Sequence, residues 1–244
     1  MPPERIVSLV PSLTELVYWL GSGEALVGRT RFCTEPVGQV ESVTITGGTK
    51  NPNVARIVAL APDLVIANKE ENRREDVEAL QAAGLNVLLT DPNTVAEAIA
   101  MVRELGRRLG ATTRAEELAR DTEEALAQGL DPEPTRVFVA IWKDPLMGLG
   151  SESYGHDLIE RCGGFNVLRH RARYPEITLD ALRELRPALV LLPDEPYPFK
   201  DADVALFAGI APAMVIDGKL LWWYGPRMPA AIRTLRALLR VPRP

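Results

Sequence analysis

The chain has 244 residues, 46% apolar and 25% charged, which suits one large or two small globular domains and excludes a disordered chain. With 28 basic and 33 acidic residues the net charge is −5, so neither nucleic acid nor an anionic membrane is an expected partner. Two cysteines and two histidines are too few for a disulfide scaffold or a multi-histidine metal site.

In chain order, Ile6–Val10 predicts a buried strand ended by Pro11. Ser12-Leu13-Thr14-Glu15 has the form of a capping box, and Leu13, Leu16, Val17 and Leu20 give the helix behind it one apolar face. A short strand follows at Ala25–Gly28, then a loop over 32–52 punctuated by Pro36, Gly38, Gly47-Gly48 and Pro52. Asn53 caps a short helix to Leu60. Leu64–Ala67 reads as a strand, Arg73–Ala83 as a helix and Asn86–Leu89 as a strand.

From Thr94 to Leu130 the residues are nearly all helix formers, without proline. As one helix this segment would span on the order of 50 Å; Gly110-Ala111-Thr112-Thr113 can divide or kink it, and Asp131-Pro132-Glu133-Pro134 ends it. Alternation then resumes. Strands are expected at Arg136–Ile141, Ala188–Leu192 and Met214–Ile216, with helices at Gly155–Cys162, Leu179–Leu185 and from Pro229 to Leu239.

One pattern occurs twice. Val54, Ile57, Leu60, Pro62 and Leu64-Val65-Ile66 return as Leu179, Leu182, Leu185, Pro187 and Leu189-Val190-Leu191, each offset by 125 residues. Each copy is a short helix, a proline stop and a buried strand. The expected architecture is therefore two Rossmann-like α/β lobes, 1–93 and 133–244, joined by a helical region over 94–132, with a ligand cleft between the lobes.

Catalytic motifs do not emerge. Gly47-Gly48-Thr49-Lys50 lacks the spacing of a phosphate loop, and Gly150–Gly155 is not a nucleophile elbow. Neighbouring His156 and Asp157 point apart on a helix, so they make a poor relay with Ser151 or Ser153, and His156 is expected to be an exposed helix-start residue. His156, His170 and Cys162 lack metal-ligand spacing, and Cys33 and Cys162 are expected as free thiols. The chain therefore reads as a non-enzyme. Of the 14 aromatic residues, 11 follow residue 137, and Trp222-Trp223-Tyr224 run together in an expected loop before Arg227. Three consecutive rings cannot all face one interior, so at least one is expected to meet a ligand. Rings plus Arg227 and Lys50 suit a large, flat, partly anionic molecule.

The segments Arg5–Leu16, Arg56–Ala67 and Cys162–Val167 resemble the helical-backbone solute-binding receptors of ABC importers. The similarity runs from about residue 5 to 239 and is nearest to the cobalamin-binding member, with siderophore and heme receptors as relatives. The resemblance implies two α/β lobes, a connecting helix, and a ligand carried as cargo with no catalytic cofactor. It places Pro11, Ser12, Phe32, Gly48, Thr49, Lys50 and Asn68 at the ligand from the first lobe. Trp142, Tyr174, Trp222, Trp223, Tyr224 and Arg227 would approach it from the second. Asn68 stands where the cobalamin receptor has tryptophan. One acidic residue per lobe, Glu75 and Asp180, would dock on an ABC permease.

The expected function is thus binding of cobalamin or a related corrinoid by a monomer. The alternatives are a cytoplasmic family member that handles corrinoids or acts as a weak enzyme, and a siderophore or heme binder. Met1–Arg5 has no secretory signature, so the sequence as written reads as cytoplasmic, or as periplasmic or cell-surface in a mature form.

Overall fold

The short apolar runs of this sequence are buried on both faces, as parallel strands flanked by helices require. The computed structural model describes residues 1–127, 129 and 133–240. Its chain divides into two compact units. The first comprises Met1–Asp91, Ile99–Arg120 and Tyr224–Pro226; the second comprises Pro92–Ala98, Asp121–Trp223 and the chain from Arg227 onward.

In the first unit β1 (Ile6–Ser8), β2 (Leu26–Arg29), β3 (Thr44–Ile45), β4 (Leu64–Asn68) and β5 (Val87–Thr90) form one sheet of order β3-β2-β1-β4-β5. Every pairing is parallel. The helices are α1 (Pro11–Trp19), α2 (Val54–Ala59) and α3 (Arg74–Ala82). Val7, Leu9, Ile57, Val65, Ala67, Val77 and Leu80 form one buried cluster between sheet and helices.

The expected capping box does not form. Pro11 itself occupies the first turn of α1, where its missing N–H costs nothing, so Ser12 and Glu15 fall inside the helix. Thr14 Oγ1 instead donates to Ser8 Oγ, at 2.9 Å. Asn53 does cap α2, accepting from the Arg56 N–H at 2.9 Å.

The segment expected as a connecting helix is two helices, α4 (Val95–Arg108) and α5 (Thr112–Ala127). Gly110 between them has φ +69°, a left-handed turn that favours glycine. Gly106 lies so near Ala115 that a Cβ on it would come within 2.2 Å of the alanine Cβ. Arg103 clamps Glu116 with two hydrogen bonds of 2.8 Å. The chain passes from unit to unit within both helices. The expected stop at Asp131-Pro132 lies outside the described residues.

The second unit is built on β6 (Thr135–Trp142). It pairs in parallel with β8 (Gly164–Asn166) and β9 (Leu189–Pro193), and antiparallel with the short β7 (Met147–Gly148). β10 (Ala213–Ile216) extends the sheet beyond β9. Its helices are α6 (Tyr154–Arg161), α7 (Leu179–Glu184), α8 (Lys219–Trp222) and α9 (Met228–Leu239). Phe138, Leu182, Val190, Leu192, Phe199 and Phe207 are among its buried core.

The 125-residue echo is structural. Thr178 caps α7 as Asn53 caps α2, accepting from the Ala181 N–H at 3.2 Å. Ala61 and Arg186, each just before the proline stop, both take left-handed backbone, with φ 44° and 47°.

Candidate functional site

In open parallel α/β sheets ligands bind outside the carboxyl ends of the strands. In the first unit these ends lead to Pro11-Ser12 in the first turn of α1, to the loops that contain Phe32 and Gly48-Thr49-Lys50, and to Asn68, the last residue of β4.

Arg29, 6% exposed, ends β2 and organises the loop behind it. Its guanidinium donates to the carbonyls of Val40 (2.7 Å), Cys33 (3.1 Å) and Thr30 (3.2 Å). That anchoring leaves Phe32 55% exposed, with the Arg31 guanidinium 5.8 Å from its ring centre. The ring edge lies over Gly48, where a Cβ would sit 3.3 Å from Phe32 Cε2.

Asn72 ties three strand ends together. Its Nδ2 donates to the carbonyls of Thr49 (2.9 Å) and Leu9 (3.3 Å), and its Oδ1 accepts from the Asn68 N–H (2.8 Å). Lys50 Nζ donates to the Glu70 carbonyl. Next to it Glu71 is half-buried; burial raises its carboxyl above the ordinary range, against the lowering pull of Lys50. Sequence reading missed Asn72 and Glu71. The signal available was two asparagines bracketing Lys69-Glu70-Glu71 directly after a buried strand.

Asn68 does not serve as expected. It is fully buried, its Nδ2 donating to Thr90 O and Oγ1, both at 3.1 Å, and its Oδ1 accepting from the N–H groups of Glu70 and Glu71. An asparagine in this position shapes the turn and presents no surface to a ligand. Ser12 is likewise buried, whereas Pro11 is partly exposed.

In the second unit Trp142 ends β6 and is 41% exposed. Its indole N–H donates to Asp144 O at 3.1 Å. Its ring meets Tyr197 edge-on at 5.2 Å, and Tyr197 leans on buried Phe199 at 4.6 Å. Tyr197, in the loop after β9, was not expected from sequence. Tyr174 is partly exposed.

In the Trp222–Tyr224 run, Trp222 ends α8 and is partly exposed, while Trp223 and Tyr224, in the loop that follows, are each 7% exposed. The three rings separate. Trp222 lies against Gly155 and donates to the Glu195 carbonyl at 2.8 Å. Trp223 donates to Glu195 Oε1 at 2.8 Å, with Lys219 and Arg227 over its ring at 4.9 and 5.1 Å. Tyr224 groups with the first unit.

No nucleophile–base pair assembles around His156 among the described residues. Ser153 Oγ bonds Gly150 O, Ser151 Oγ bonds Arg171 O, and Asp157 accepts from Val95 N and Arg161. His156 is half-buried against Asn166 rather than exposed, and burial lowers its pKa. Among the described residues no group of three or more His, Cys, Asp or Glu could hold a metal ion, and no helix is long and apolar enough to cross a membrane. Glu75 and Asp180 are both exposed, and Asp180 pairs with Arg183 at 2.7 Å.

Comparison with known proteins places this architecture. A vitamin B12-binding protein of Vibrio parahaemolyticus is 27% identical over 196 residues, covering 78% of this chain and 70% of that protein. An uncharacterized ABC transporter substrate-binding lipoprotein of Bacillus subtilis is 28% identical over 205 residues, covering 79% of this chain and 64% of that protein. Among solved structures, a periplasmic heme-binding protein of Pseudomonas aeruginosa aligns with a TM-score of 0.83 at 25% identity, over 97% of this chain and 92% of that one. The periplasmic vitamin B12-binding protein of Vibrio cholerae shares the fold, with a TM-score of 0.82 at 20% identity over 98% and 97% of the two chains. Two of these are named as periplasmic and one as a lipoprotein, so the cytoplasmic expectation finds no support. The profile of the periplasmic binding protein family matches residues 6–205, and the chain belongs to that family.

Proposed function

We propose that this protein is the solute receptor of an ABC importer for a large metal chelate of the corrinoid class, working as a monomer outside the cytoplasmic membrane. The observation that carries the reading is a large exposed ring at the carboxyl ends of each unit's strands: Phe32 in the first and Trp142, braced by Tyr197, in the second. Exposed rings on a rigid frame supply flat apolar contact, and polar groups nearby read the edge of the ligand. The proposed ligand contacts are Phe32, Gly48, Thr49 and Lys50 in the first unit, and Trp142, Tyr174 and Arg227 in the second. The vitamin B12-binding relatives support this class of ligand.

Titration with cobalamin, cobinamide, heme and a ferric siderophore, followed by tryptophan emission, tests the reading. Saturable quenching by a corrinoid, weakened in Phe32→Ala and Trp142→Ala, is the expected result; no saturable response to any of the four overturns it. Heme is the second reading, favoured by the Pseudomonas relative and by Arg31 beside Phe32, a cation suited to a carboxylate. Tighter binding of heme than of any corrinoid selects it. Glu75 and Asp180 are the proposed permease contacts, tested by charge reversal with ligand affinity as the control. Turnover of a corrinoid or phosphate ester, lost in Lys50→Ala, is the outcome that replaces the receptor reading with an enzyme.

A further inference from the structure

Glu71 lies in the loop that follows β4 in the first unit. It is half-buried, and its carboxylate accepts no hydrogen bond among the described residues. Only its backbone N–H is engaged, with Asn68 Oδ1. The nearby cation, Lys50, directs its Nζ to the Glu70 carbonyl. Asn72 pins the loops that carry Lys50 and Glu71 to each other through Thr49 O, and Gly48 carries the exposed Phe32 ring on the same loop. An exposed ring, a lysine that donates to Glu70 O and a half-buried carboxylate to which no protein group among the described residues donates therefore lie on loops that Asn72 ties together.

A half-buried carboxylate that keeps access to solvent and has no protein donor among the described residues is free to accept from a donor on a ligand, and its partial desolvation strengthens that bond. A bound anion is disfavoured, because like charges repel strongly where water is scarce. We propose that Glu71 contacts the ligand and sets its class by charge: it accepts hydrogen bonds from amide or hydroxyl groups on the ligand's edge and rejects ligands edged with carboxylates. Discrimination of this kind comes from a repulsive element as much as from an attractive one. The inference rests on the corrinoid reading above and narrows it to the amide-bearing members.

The test holds the ring constant and changes its edge. Cobinamide carries amides on the corrin, and cobyrinic acid carries carboxylates on the same ring. Both are titrated into the full chain at about pH 8, where the free carboxylates are ionised. The wild type is expected to prefer cobinamide by roughly tenfold or more. Glu71→Gln is expected to cut that preference about fivefold, chiefly through tighter binding of cobyrinic acid. Glu78→Gln removes the same charge from the outer side of α3 and controls for the general field of the protein. Equal binding of the two corrinoids by the wild type overturns the inference without any variant. A preference unchanged in Glu71→Gln, or narrowed equally by Glu78→Gln, also overturns it and leaves the receptor reading standing. No binding of either corrinoid, or of cobalamin, overturns both.

Discussion

Arg5 and Arg136 make the same closure at corresponding places in the two units. Arg5 Nε and Nη2 donate to the carbonyl of Leu60, at 3.0 and 2.7 Å, at the end of α2. Arg136 Nε donates to Arg186 O at 3.0 Å, and its Nη2 to Leu185 O, at the end of α7. Each arginine stands at the foot of a central strand and satisfies carbonyls that the helix leaves unpaired, with its charge at the negative end of the helix dipole. Replacing either with alanine is expected to lower stability by about 1 kcal/mol, the low end for charged hydrogen bonds because both groups are exposed. Urea unfolding checks this, and an unmoved midpoint would show that the closures are decorative.

How far this fold was legible follows from element length. The apolar runs of β1, β4, β6 and β9 announced themselves, and the proline stops fixed the helix ends before them. β3, β7 and β8 are two or three residues long and, unlike β1, which opens the run Ile6-Val7-Ser8-Leu9-Val10, start no such stretch for a pattern to register. That the rings of Trp222–Tyr224 cannot share one interior was legible, but not that a four-residue helix, α8, would carry the first of them and bury the next two. Asn68 was misjudged because a position in a resemblance says nothing of which way an amide is turned; here Thr90 claims it.

Ala61 and Arg186 hold left-handed backbone without being glycine. That conformation costs an L-residue roughly 1–2 kcal/mol. Glycine at either position relieves it, partly offset by the greater freedom of an unfolded glycine. Ala61→Gly and Arg186→Gly are each expected to be neutral to stabilising, by up to about 1 kcal/mol. A clear fall in the thermal midpoint of either would contradict this.

Glu195 links stability to pH. Burial is the main cause that raises its carboxyl above the ordinary 4.5, and the hydrogen bond from Trp223 opposes it. The folded chain thus retains the proton at pH values where the unfolded chain has lost it. This contribution is full below the unfolded pKa and is lost as pH rises through the folded one. Glu195→Gln keeps an oxygen for the Trp223 indole and never ionises. Its midpoint is expected to exceed the wild type's at neutral pH and to converge with it below about pH 4. Parallel curves across that range would refute the linkage.

Both cysteines are buried, Cys33 with 0% exposure and Cys162 with 2%. Burial pushes the Cys33 thiol up and the Cys162 thiol up to about 12, far from the thiolate that reacts. A thiol reagent at mildly alkaline pH is expected to label neither in the folded protein and both after addition of denaturant. Rapid labelling of the native chain would count against this packing.

Asn72 gives the first unit an engineering property. One buried amide holds the ends of β1 and β4 and the loop after β3, while the side chains of Phe32, Lys50 and Glu71 hang outside that knot. Scaffold and proposed recognition surface are therefore separable. On that reading, a library varied at those three positions, with Asn72 and Arg29 left alone, is expected to change the ligand taken without asking the chain to solve its fold again.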